Sequence, residues 1–126
     1  MKLYYDKSIP DNIAPLILKK RGTPSRIEIF IRKDKDNHAL LLAFCGDDGM
    51  MPSKAIQQGP YQSIDEAIAA RNAITGQLLT RGYKLKQQLY PNWITHCQRE
   101  LNAIIKQKSQ SKADYTFHPE DVFLDW

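Results

Sequence analysis

Cysteine is scarce in this chain. Cys45 and Cys97 are the only two, and they stand far outside any Cys-x-x-Cys spacing. That excludes a disulfide scaffold and a thiolate zinc site. It leaves two buried free thiols, or a single Cys45–Cys97 bridge, as the expectations. Histidine is scarcer still relative to need: His38, His96 and His118 match no zinc-finger spacing. His96 and Glu100 lie one helical turn apart and read either as a shared metal pair or as an exposed polar pair; the exposed pair is the expectation, and no metal or cofactor is expected. The glycines are spread over positions 22, 46, 49, 59, 76 and 82, so no phosphate-cradling loop precedes a helix. No apolar run approaches the roughly 18 residues of a membrane span. The opening MKLYYDKSIPDN has no apolar stretch of the kind a secretory leader needs. A cytoplasmic protein without membrane partners is therefore expected. Repeats and low-complexity tracts are also missing.

What is present is ordinary globular material: 126 residues, 42% hydrophobic and 25% charged, enough for one domain with its own core. The net charge of +4 is unevenly placed. Residues 1–112 hold all 18 Lys and Arg against 10 acids, a balance of +8, whereas residues 113–126 hold four acids and no cation, a balance of −4. A basic body attracts polyanions. An acidic tail docked on that body would neutralise it.

Hydropathy patterning supplies the elements. Ser8 to Lys20 reads as a first helix over about residues 9–20, with Pro15 as its flaw. Met1 to Tyr5 reads as a short strand. Ser25 to Lys33 alternates, with Ile27, Ile29 and Ile31 on one face and Arg26, Glu28, Phe30 and Arg32 on the other. A turn at residues 34–37 and an apolar run from His38 to Cys45 complete an antiparallel hairpin. Ser53 to Gln57 reads as a third strand, and Gly59-Pro60 as a turn. Ser63-Ile64-Asp65-Glu66 has the form of a capping box and opens a helix with Ile64, Ala67, Ile68, Ile74, Leu78 and Leu79 on its apolar face. Gly82 stands where a left-handed C-terminal cap belongs, and Gly76 reads as a close approach to the sheet. A further helix begins at Asn92, its candidate cap, and runs to about residue 108 on Ile94, Cys97, Leu101, Ile104 and Ile105. Tyr115 to Trp126 holds four aromatics in twelve residues, too many for an unstructured tail, and is expected to pack on the body. The sum is a single α+β domain over residues 1–126. In it a small antiparallel sheet around residues 25–57 is packed by helices 63–81 and 92–108.

Within Gly59 to Lys84, the residues Tyr61, Ser63, Glu66, Ala67, Gly82 and Tyr83 resemble the C-terminal part of the WGR domain, in which a β-meander leads into a Ser-x-x-Glu-Ala helix start and a Gly-Tyr ending. The resemblance covers about 26 residues and implies a strand-to-helix layout and a link to nucleic acid. The namesake Trp-Gly-Arg triplet is absent, so no binding residue carries over.

No nucleophile, base and orienter are brought together by the sequence, so an enzyme is not expected. The leading expectation is a small non-enzymatic binding protein that contacts nucleic acid or a nucleic-acid-processing partner. Arg26, Arg32, Lys33, Arg81 and Lys84 would meet phosphates and Phe30 would stack on a base. Against that stands a plain solvated sheet face with Phe30 covered by a neighbouring helix. A second expectation is a protein-interaction module or homodimer anchored by Phe117, Phe123 and Trp126. A small-ligand pocket beneath the helices is a third.

Overall fold

The Ser25–Lys33 hairpin partner fixes the centre of the molecule. The computed structural model describes residues 14–86 and 89–107. In it, strands β1 (Leu16–Lys20), β2 (Ser25–Lys33), β3 (Ala39–Asp47) and β4 (Lys54–Tyr61) lead into helix α1 (Ile64–Thr80); strand β5 (Tyr83–Leu85) and helix α2 (Ile94–Gln107) follow. The five strands form one antiparallel sheet in the order β4-β3-β2-β1-β5. The class is α+β.

The alternation in β2 and β3 splits the sheet into two buried faces. Ile27, Ile29 and Ile31 of β2, with Ala39, Leu41 and Ala43 of β3, pack with Ala67, Ala70, Ile74 and Leu78 of α1. Phe30 of β2, with Leu40, Leu42 and Phe44 of β3, packs with Trp93 and with Cys97 and Leu101 of α2. The helices therefore lie on opposite faces, and the sheet is the middle of three layers. This explains why His38–Cys45 reads as a continuous apolar run: both of its faces are covered. It also settles the cysteines. Cys45 faces the α1 layer, Cys97 lies in the α2 layer, and both are free thiols.

Several expectations are corrected here. Residues 16–20, read as the end of a helix, form β1, which pairs with β2 through a turn where Gly22 takes φ +77°. Pro15 removes the helical bond that would have carried a helix through this point, and the free edge of β2 supplies a better partner. Residues 9–13, like Met1 to Tyr5 and residues 113–126, lie outside the described residues. The third strand does not stop at Gln57. It runs through Gly59 (φ +97°) and a cis Gly59–Pro60 bond to Tyr61, with a register shift opposite Ala39 and Leu41. A proline is compatible with this strand because β4 is at the edge of the sheet. Leu79 and Ile94, assigned to apolar faces, are exposed, and β5 was not expected at all.

Helix α1 starts and stops as its sequence indicates. Ser63 Oγ accepts from the Glu66 amide at 3.2 Å, and Gly82, just past the C-cap Arg81, has φ +96°. Gly76 does not bring the helix close to the sheet. It is exposed, and a Cβ built there meets nothing within 4 Å. Gly76→Ala is accordingly expected to raise the unfolding free energy by about 0.5–1 kcal/mol, read as a higher urea midpoint with an unchanged slope.

Candidate functional site

The polar face of β2 is where sequence and structure differ most. Arg26 and Glu28 share the face of Phe30 and so point toward α2, not toward water: Arg26 is 3% exposed and Glu28 is 0% exposed. The two pair with each other, Arg26 Nε donating to Glu28 Oε2 at 2.7 Å. Glu28 also accepts the backbone N–H groups of Asn92, at 2.6 Å, and Trp93, at 3.0 Å. Trp93 stands just before α2, and its carbonyl accepts the Cys97 amide. A carboxylate from the middle of the sheet thus satisfies amides at the start of α2, the position where anionic groups are favoured. Asn92, the candidate cap, is held by that carboxylate rather than serving as the cap itself.

Arg26 extends the network outward. Its Nη2 donates to the Tyr90 carbonyl at 2.6 Å and its Nη1 to Asp48 Oδ1 at 3.1 Å. Asp48 takes Lys19 Nζ at 2.7 Å on its other oxygen. The Lys19 hydrogen bond, reinforced by the Lys19 and Arg26 charges, holds the Asp48 carboxyl below its ordinary range. Trp93 Nε1 donates to the Met50 carbonyl at 3.0 Å. One clasp therefore ties β1, β2, the β3–β4 loop and the segment before α2 together.

Outside the clasp lies a basic corner. The register puts Lys19 opposite both Arg26 and Lys84, so these three share one face of the sheet. Lys86, two residues beyond Lys84, donates its amide to the Ile17 carbonyl and continues the same line. Around the end of the sheet, Lys20 pairs with Tyr83, its ammonium 5.9 Å from the ring centroid. Arg21 in the β1–β2 turn and Arg81 at the end of α1 are exposed beside it. Lys20, Arg21, Lys84 and Lys86 have no ion-pair partner among the described residues.

The six residues expected to contact nucleic acid are not brought into one surface. Phe30 is 0% exposed, its ring meeting Phe44 edge to face at 5.8 Å, and it offers no face to a base. Burial of Phe30 under α2 is the covered-face alternative raised by the sequence. Arg26 is consumed by the clasp. Arg32 is half-buried with its guanidinium 5.2 Å from the Phe30 ring centroid, and Lys33 is exposed next to it. Both stand at the far end of β2, roughly 20 Å from Arg26 at the rise of an extended strand. Only Arg81 and Lys84 fall in the basic corner. Lys19, Lys20, Arg21 and Lys86 complete it. Lys19, Lys20 and Arg21 are a contiguous basic run and Lys86 follows Lys84 by two residues, but the meeting of these two stretches is decided by the pairing of β1 with β5. Phe117, Phe123 and Trp126 lie outside the described residues.

Other chemistry is weakly supported. Burial pushes the Cys45 and Cys97 thiols up to about 11, which keeps both as inert packing groups. Asp34, Asp36 and His38 bring possible ligand atoms within 4.8 Å of one another. Asp34 Oδ1 already accepts the amides of Asp36, at 2.9 Å, and His38, at 3.0 Å, which is the chemistry of a tight turn closing the β2–β3 hairpin.

The architecture thus defines a small α+β domain with a three-layer core, a polar clasp on one face and a cationic corner beside it. The chain belongs to the PA4575-like protein family, whose model matches residues 1–121. No curated protein and no solved structure matches the chain significantly. Of the residues shared with the WGR ending, Tyr61 and Ala67 are buried, Ser63 caps α1 and Gly82 ends it.

Proposed function

We propose that this protein is a non-enzymatic binding protein that holds a nucleic acid at the β1–β5 corner. The observation that carries the reading is the placement of Lys84 directly opposite Lys19, with Lys86 next along the line. Like charges facing each other across two strands destabilise a sheet by some tenths of a kcal/mol. Only one of this pair, Lys19, is matched to a carboxylate. Such a local conflict is the mark of a surface shaped for an external anion. The inert thiols support a binding role over a catalytic one.

The test is an electrophoretic and anisotropy titration against labelled DNA and RNA at low ionic strength. Binding is expected, and it should weaken steeply with added salt as counterions return to the phosphates. The double variant Lys84→Ala/Lys86→Ala should lose affinity for every sequence alike and flatten the log–log salt slope by about two. Failure to bind any DNA or RNA at low salt would remove this reading.

A further inference from the structure

Tyr90 sits where the clasp meets the basic corner, and it is 87% exposed. Its backbone is not loose. Arg26 Nη2 holds the Tyr90 carbonyl, the amides of Asn92 and Trp93 donate to Glu28, and Leu89 donates its amide to the Lys86 carbonyl. An aromatic ring held in water on an anchored backbone loses little freedom when another ring stacks on it. Met50, whose carbonyl anchors Trp93 Nε1, adds a second exposed apolar side chain at 66% on the neighbouring loop.

The cations are close by construction. The guanidinium that grips Tyr90 also grips Asp48, and the same Asp48 carboxylate takes Lys19. Lys84 is the cross-strand neighbour of Lys19, and Lys86 leads through Leu89 to Tyr90 itself. The backbone that carries the exposed ring and the strand that carries Lys84 are thus joined through one set of contacts, and an aromatic with cations on adjoining segments is the pattern that grips unpaired nucleotides: cations follow the backbone and aromatics take the bases.

We infer that this surface selects single-stranded nucleic acid, with the Tyr90 ring stacked on an unpaired base and Lys84 and Lys86 on the adjoining phosphates. The inference rests on the nucleic-acid reading above and sharpens it, because a duplex presents phosphates to the lysines but keeps its bases from the ring.

The test compares three probes on the full-length protein by fluorescence anisotropy: a labelled single-stranded oligothymidine, a duplex of equal charge, and heparin, which carries charge without bases. Tyr90→Ala should weaken single-strand binding by about tenfold, since a stacked base contributes about 1–3 kcal/mol. Duplex and heparin binding should stay within twofold of the parent, and Tyr90→Phe should restore the single-strand affinity. The backbone carbonyl used by Arg26 survives either substitution, and an unchanged circular dichroism melt verifies the fold. If Tyr90→Ala leaves single-strand binding intact while Lys84→Ala/Lys86→Ala abolishes it, the stacking inference is overturned and the basic-corner reading stands. If the parent binds neither nucleic acid, both fall, and the Tyr90 and Met50 surface passes to a protein partner.

Discussion

Replacing Glu28 with alanine is expected to lower the unfolding free energy by about 3–5 kcal/mol, the usual consequence of removing one partner from a buried ion pair. The carboxylate is fully enclosed and receives three hydrogen bonds, from Arg26 Nε and from the amides of Asn92 and Trp93. Its loss leaves the buried Arg26 guanidinium with only the partly exposed Asp48 as counter-charge. Two backbone donors at the start of α2 also lose their acceptor, each at about 1–3 kcal/mol. A double change, Arg26→Met with Glu28→Leu, should recover part of the loss, because it deletes the stranded charge, but not all of it, because the two amides remain. Urea denaturation followed by circular dichroism measures both. A loss below about 1 kcal/mol for Glu28→Ala would mean that water reaches the site and that the clasp is not what holds α2.

The same pair shows how far a sequence of this kind can be read. Strand β2 and its alternation were legible, because period-two patterning is a local property. The environment of its polar face was not. Arg26 and Glu28 read as solvent-facing because an isolated buried charge is costly, and nothing local says that the cation and anion two residues apart will be sealed together under a segment more than sixty residues away. Helix α1 was legible at both ends for the opposite reason: Ser63 and Gly82 act on the backbone within one turn of themselves. Strands β1 and β5 failed for want of local signal. LILKK is too short to separate a strand from a helix end, and Tyr83–Leu85 is a strand only because β1 lies beside it. The basic corner inherits that blindness. Its members come from β1, the β1–β2 turn, the end of α1 and the stretch from β5 to Lys86, and their meeting is a fact of strand order.

Trp93→Ala is expected to cost a comparable amount, about 3–5 kcal/mol, as large aromatic truncations in cores do. Trp93 is 2% exposed and meets the Phe30, Leu40, Leu42 and Phe44 face of the sheet together with Cys97 and Leu101. It also closes the clasp at two points, through its amide to Glu28 and its Nε1 to the Met50 carbonyl. The α1 layer has its own cluster on the other face and shares none of these contacts. Amide exchange should therefore accelerate first along α2 while α1 stays protected, a local opening rather than a uniform loosening. Trp93→Phe keeps most of the packing and drops the Nε1 bond, so a loss of only about 1–2 kcal/mol is expected there. The functional consequence follows from shared anchoring. The segment that presents Tyr90 is fastened by the same clasp, whereas Lys84 is fastened by β1. Under conditions where Trp93→Phe remains folded, single-strand affinity should fall more than duplex affinity. An equal fall in both would mean that the ring and the lysines are not separate contributors, and would count against the division of labour between base and phosphate at this surface.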